Sequence, residues 1–259
     1  MDFETYAKIP AINASSIKRG TISMLHMHHA MTGGWTEPTA GMKWGTLCHS
    51  AVLEPDTFFP SVAIYQGKTK RGKEWDKFEA DNPCGIYLKQ HELDQLHAVR
   101  DALMRNAWTR TLIEESEHEV SLQWEHKLYG RGKARLDGVS SRYGIYDYKT
   151  TGNICKRAFT QNSYNLKYHL QFGFYGHAID VTEGETPPVR CIVQEPKPPY
   201  DSYVMLVPHQ IVTQSALEAV EIAQRYNACR VAGTFMGVAG GQELEFELPE
   251  YAGSEWEVE

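Results

Sequence analysis

Lys133-Ala134-Arg135-Leu136-Asp137-Gly138-Val139, followed by Tyr143-Gly144-Ile145-Tyr146-Asp147-Tyr148-Lys149, is the stretch whose reading decides the fold. Both halves read as strands, and Ser140-Ser141-Arg142 with Gly144 supplies the turn of a hairpin. A turn centred on Arg142 sets Asp137 opposite Asp147, Val139 opposite Ile145 and Leu136 opposite Tyr148. Asp147 and Lys149, two apart, share a strand face. Two opposed carboxylates repel unless something cationic lies between them. A divalent metal would resolve the repulsion, with Lys149 beside it. That arrangement suits metal-assisted phosphodiester hydrolysis; the alternative is an exposed, salt-bridged hairpin.

Working outward, Val120 to Lys127 adds a third strand to a meander. Trp44 to Leu53 reads as a helix closed before Pro55, and Lys89 to Ala107 as an amphipathic helix with Leu93, Leu96, Val99 and Leu103 at helical spacing. Tyr168 to Ile179 and His209 to Ala232 are further helices, with strands at Val189 to Glu195 and Ser202 to Val207. The first 20 residues read as an extended arm and a short helix capped near Asn13 to Ser16 and ended by Lys18 and Arg19. Gly67 to Asn82 reads as a polar loop. This order implies an α/β fold, a mixed central sheet flanked by helices, with N-terminal helical decoration. We expect one domain over residues 1–236 and an acidic tail over 237–259.

The 259 residues suffice for one sizeable core, and 42% hydrophobic with 23% charged residues is an ordinary globular balance. No run approaches a membrane span and no signal peptide is read, so a cytoplasmic location is expected. Five scattered cysteines fit reduced thiols. Taken as a total, the net charge of −7 is unsuited to a nucleic-acid partner. Residues 242–259, however, hold seven of the 33 acids and no Lys or Arg, so acids and bases balance in the rest. Local clusters then matter more than the total. Lys18, Arg19, Lys68, Lys70, Arg71, Lys73 and Arg135 are candidates for DNA-backbone contact. Trp75, beside the loop cluster, is a candidate for stacking on a frayed base.

Asp137 and Asp147 are hard oxygen ligands suited to Mg²⁺ or Mn²⁺, and the Tyr148 carbonyl is a candidate third ligand. Glu119 opens the first strand of the meander within reach of the same centre, although Glu114, Glu115 and Glu117 around it suggest a solvated helix end. His49 is a borderline ligand that could equally be a packed core residue. Gln171 and Tyr175, four apart, share a helix face that would look onto the acids. His26, His28 and His29 have no supporting acid or cysteine pattern and read as a solvated segment.

Asp137, Asp147-Tyr148-Lys149 and Gln171-Phe172-Gly173-Phe174-Tyr175 resemble the PD-(D/E)xK nuclease superfamily, and more narrowly the RecE (exonuclease VIII) nuclease domain and related phage recombination exonucleases. Gly45 to Pro55, Glu119 to Trp124 and Gln194 to Tyr200 agree with that subgroup. The second acid is Asp147 rather than the commoner Glu, and Leu136 stands where a proline often precedes the first Asp. The resemblance implies a restriction-endonuclease-like fold and a two-metal site in which Asp137 bridges both ions, His49 and Glu119 complete the ligands, and Lys149 orients the attacking water. Gln171 and Tyr175 would hold the lysine or contact the DNA. It also implies a Mg²⁺-dependent exonuclease that digests the 5′-ended strand of linear duplex DNA, working as a trimeric or tetrameric ring. The 3′ tails would pass to a RecT-like single-strand annealing protein, and the resemblance implies the cytoplasm of a bacterial or phage-infected bacterial cell. A structure-selective endonuclease and a non-catalytic DNA-binding module are the rival expectations.

Overall fold

The computed structural model describes residues 1–34, 37–83 and 85–246. The N-terminal third is helical: α1 (Phe3–Lys8), α2 (Ala14–Gly20), α3 (Met24–Met31), α4 (Ala40–Leu53) and α5 (Pro55–Phe58). A small parallel pair, β1 (Val62–Ile64) and β2 (Ile86–Leu88), encloses α6 (Lys73–Asp81) and is followed by α7 (Gln90–Arg105) and α8 (Ala107–Glu114). The central sheet comprises β3 (Glu117–His126), β4 (Gly130–Ser140), β5 (Gly144–Thr150), β6 (Val189–Gln194) and β7 (Ser202–Val207). Helices α9 (Lys156–Asn165) and α10 (Tyr168–Glu183) connect β5 to β6, and α11 (His209–Ala232) follows β7.

Strand order follows chain order from β3 to β7. Every pairing is antiparallel except the β5–β6 pair, which α9 and α10 span as a crossover. The sheet is therefore mixed, as expected. Ile17, Met27, Phe174 and Ile222 of α2, α3, α10 and α11 pack on one face with Leu136, Ile145 and Cys191. Cys48, Leu96, Leu103 and Leu112 of α4, α7 and α8 pack on the other with Tyr146, Tyr148 and Ile192. Gly173 lets α10 approach the backbone of Ser215 and Ala216 on α11, where any Cβ would collide.

Local chemistry sets several boundaries. Asn13 caps α2 by a reciprocal pair, accepting from the Ser16 amide at 2.9 Å while its own amide donates to Ser16 Oγ at 3.0 Å. Pro55 ends α4, and Gly233, with φ 69°, ends α11 where a left-handed residue is needed. No helix among the described residues is long and apolar enough to cross a membrane.

Four expectations are corrected. The first residues are not an extended arm. They form α1, capped by Asp2 and held by Lys133, whose Nζ donates to the carbonyls of Tyr6, Ala7 and Ile9 at 2.8–3.0 Å. Gly67 to Asn82 is not all loop, because Trp75 and Phe78 of α6 pack with Tyr65 and Tyr87 in an aromatic cluster. Of the three histidines on α3, His26 and His29 are exposed as expected, but His28 is half-buried and stacks on Phe235 at 3.7 Å. The hairpin register holds for Gly138–Tyr146 and Val139–Ile145 but stops short of the expected Asp137–Asp147 and Leu136–Tyr148 pairs.

The cause of that last difference positions the site. Leu136 and Val139, three apart, pack on the same face, which an unbroken strand forbids. Alternation therefore breaks between them, at Asp137-Gly138. Directly across on β3, pairing skips Glu119, whose φ of 54° is left-handed. Gly138 tolerates the break because the Tyr146 ring lies where a Cβ would be. Two acids thus sit at matched irregularities of neighbouring strands.

Candidate active site

Asp137 and Asp147 are 7% and 1% exposed, which excludes the exposed-hairpin alternative. Their surroundings differ. Asp137 Oδ2 accepts from the Tyr148 amide at 2.7 Å and contacts His49 Nε2 at 2.9 Å. The other imidazole nitrogen, Nδ1, lies 3.1 Å from Glu119 Oε1. His49, Glu119 and Asp137 each offer a ligand atom within 4.8 Å of the others, forming the one such group among the described residues. Two carboxylates and an imidazole are a suitable donor set for a divalent cation. Tyr148 joins this group through its N–H, while its phenol donates to Gln194 at 2.7 Å.

Asp147 is held differently. Its Oδ1 accepts from Gln171 Nε2 at 2.6 Å, and its Oδ2 contacts Lys149 Nζ at 2.6 Å. Gln171 also donates to the Tyr175 hydroxyl at 3.1 Å and accepts from Lys18 Nζ at 2.6 Å. Lys18 and Lys149 both lie over the Tyr168 ring, at 4.8 and 5.0 Å from its centroid. The chain's own His49 and Lys149 therefore relieve the repulsion between the acids.

These contacts separate the titrations. Burial raises the Asp137 carboxyl, but the His49 and Lys149 charges and the Tyr148 amide bring it below the usual range. For Asp147, burial wins over the attraction of Lys149, and repulsion by Asp137 adds to it, so its pKa is raised. Burial disfavours the His49 imidazolium, yet Asp137 and Glu119 lift its pKa to about 10. Lys149 is likewise raised against burial by Asp147 and Asp137, so it stays an ammonium. Lys18 is lowered to about 7 by burial and by repulsion from Lys149.

The DNA-contact candidates divide. Lys18 is turned inward onto Gln171. Arg135 is engaged with Glu119, with Ser121 Oγ at 3.2 Å and with the Met1 carbonyl at 2.8 Å, so its guanidinium holds the Glu119 carboxylate. Arg19, Lys68, Lys70, Arg71 and Lys73 are exposed, and Lys70 donates to the Tyr87 carbonyl at 2.6 Å. Trp75 packs inside its aromatic cluster rather than standing free to stack on a base.

The site opens into a cleft of about 840 Å³ lined by His49, Lys149, Trp44, Phe3, Tyr168 and Lys197. The last four were not singled out from the sequence. Tyr168 carried a usable signal, since 168, 171 and 175 follow helical spacing. Trp44 and Phe3 carried none, and Lys197 lies in the Gln194 to Tyr200 segment that the sequence marked without giving the lysine a role.

A family described as "PDDEXK-like domain of unknown function (DUF3799)" matches residues 13–243. The chain belongs to DUF3799. No curated protein matches it. Among solved structures, a "Putative exonuclease" from Eubacterium rectale aligns with 100% of this chain and 99% of its own, at 16% identity and a TM-score of 0.63. A "phage related exonuclease" from Haemophilus somnus 129PT aligns with 88% of this chain and 99% of its own, at 12% identity and a TM-score of 0.40. The first shares the fold of this DUF3799 chain. A restriction-endonuclease-like PDDEXK fold agrees with the mixed sheet, and membership of DUF3799 supports a nuclease. Nucleases of this kind generally use divalent metals, and the His49, Glu119 and Asp137 donors fit one.

Proposed function

We propose that the protein is a Mg²⁺-dependent exonuclease that digests the 5′-ended strand of linear double-stranded DNA and leaves a 3′ single-stranded tail for recombination by strand annealing. The observation that carries this reading is the meeting of His49, Glu119 and Asp137 with the Asp147–Lys149 pair at one wall of an open cleft. Mg²⁺ or Mn²⁺ would be held by His49, Glu119 and Asp137, and would acidify water and offset phosphate charge. Arg135 fixes Glu119, and Gln171 fixes Asp147. Lys149, held protonated by the acids, acts as an electrostatic anchor for an attacking water and a phosphate oxygen rather than as a base. Tyr175 steadies Gln171 from the same helix face.

Residues 1–236 form the catalytic unit in this reading, and the exposed Arg19, Lys68, Arg71 and Lys73 contact backbone phosphates, which carry no sequence information. A trimeric or tetrameric ring and a RecT-like annealing partner complete the proposal. The test uses 5′-phosphorylated linear duplex and a covalently closed circle, each with Mg²⁺ or EDTA. Loss of the linear substrate alone, only with metal, is expected. Cutting of the circle would establish an endonuclease instead, and no change in either would leave a binding module.

A further inference from the structure

A second depression shares no lining residue with the catalytic cleft. It has a volume of about 340 Å³ and runs between α9, the end of β7 and the starts of α10 and α11. Phe159, Tyr164, Phe172, Met205, Leu206 and Ile211 make it strongly apolar. Two polar atoms face no partner within it: Ser163 Oγ and His169 Nδ1 are buried without a hydrogen bond. Leu206 is 61% exposed although it belongs to a sheet strand. β7 is also the last strand of the sheet, and no described strand pairs with its outer edge. An apolar groove with orphaned polar atoms beside an open strand edge is suited to an extended peptide.

The rim adds a charge preference. Lys156 and Arg157 line an adjoining depression that shares Thr160 and Tyr164 with the groove. Lys167 stands 4.8 Å over the Tyr164 ring, which stacks on His169 at 5.3 Å. Glu218 faces His169 from α11, so the basic rim belongs to the α9 side.

The chain itself contains a segment with the matching pattern. Glu243-Leu244-Glu245-Phe246-Glu247-Leu248 alternates acid and apolar residue without a break, and Glu255-Trp256-Glu257-Val258-Glu259 does so again after Pro249. Period two gives an extended chain with one apolar and one acidic face. Residues 247–259 lie outside the described residues. In the described part, Leu244 and Phe246 are 62% and 86% exposed, so the apolar face is largely uncovered among the described residues. The segment leaves from the far end of the molecule. Met236 accepts from the Leu25 amide at 3.0 Å, beyond the C-terminal end of α11, whereas the groove lies at that helix's N-terminal end. The helix has 24 residues, so about 36 Å separates its ends. Donor and acceptor at opposite ends are the arrangement of a head-to-tail contact between copies.

We propose that the groove beside β7 is the docking site for the alternating segment 243–259 of a second copy of this chain. Its apolar side chains fill the groove, its backbone pairs along the β7 edge, and its net negative charge suits a rim that carries Lys156, Arg157 and Lys167. The docking does not depend on the hydrolytic reading.

The test is sedimentation velocity on the full chain over a range of concentrations. The wild type should self-associate. Leu206→Glu, which places an acid at an exposed groove position, and the double variant Phe246→Ser/Trp256→Ser should each weaken association by about tenfold or more. Unchanged melting by circular dichroism shows that both still fold. A synthetic peptide of residues 243–259 should dissociate the wild-type assembly, less effectively at high salt. Mixing the two variants should restore one contact, giving dimers and nothing larger. A wild type that stays monomeric, or an assembly indifferent to both variants and to the peptide, overturns the proposal.

Discussion

Asp137 and Asp147 are the same residue type on the two strands of one hairpin, yet their environments diverge. Asp137 lies in a group that could close around a cation, with His49 and Glu119 supplying the other donors. Asp147 is already committed to an amide and an ammonium from Gln171 and Lys149. The first carboxyl is pulled below its ordinary pKa and the second is pushed above it. Two acids pushed apart in this way have different tasks. In the proposed function one would be a metal ligand, and the other would set the position and charge of the lysine.

The largest expected effect separates these tasks. Asp137→Asn should abolish Mn²⁺ binding to the free protein, followed by calorimetry, and lower turnover on the order of a thousandfold. Asp147→Asn should cost turnover comparably while weakening Mn²⁺ binding by only about 10–100-fold. Equal losses of metal affinity in the two variants would break the distinction.

Next come the residues that hold the acids. Arg135→Met frees Glu119 and should weaken metal affinity by about 10–100-fold. Gln171→Leu should leave metal affinity nearly intact and lower turnover, because its contact is with Asp147. A reversal of these two results would exchange the roles assigned to the two sides.

A smaller effect concerns pH. The pKa of His49 in the folded, metal-free protein is about 10, above its ordinary 6.5. Its contribution to stability is therefore complete below about pH 6.5 and is lost as pH rises through about 10. The melting temperature in EDTA should fall between pH 7 and pH 10, and His49→Gln should flatten that fall. Metal binding at pH 7 should release a proton, seen as a dependence of the binding heat on the buffer's ionisation enthalpy. The smallest effect belongs to the exposed cations. Arg71→Ala should reduce the salt dependence of DNA binding by about one unit of slope with little change in turnover.

How much of this was legible depended on whether a feature repeats locally. Helix α11 was readable to the residue because its N-terminal Pro208 and C-terminal Gly233 are chemical stops. The facing of Gln171 and Tyr175 towards the acids followed from helical spacing. What failed was the assumption of unbroken alternation through Leu136-Asp137-Gly138. The break is set by Glu119 on the neighbouring strand and by the Tyr146 ring over Gly138, which no local pattern announces. Arg135 was misjudged for the same kind of reason. Its charge suggested a phosphate, but Glu119, 16 positions away, had already claimed it. Lys18 was read as a surface cation, and only the packing of α2 against α10 brings it to Gln171. Helix α6 was missed because its apolar residues pack into a small local cluster rather than the main core.

The most direct test of the central claim is the rate at which nucleotides are released from linear duplex DNA by the wild type and by Asp137→Asn, both shown to be folded, across a Mg²⁺ titration. The account predicts release that saturates with Mg²⁺ in the wild type, vanishes in EDTA and is absent from the variant at every concentration. Release that is independent of Mg²⁺, or undiminished in Asp137→Asn, would contradict it.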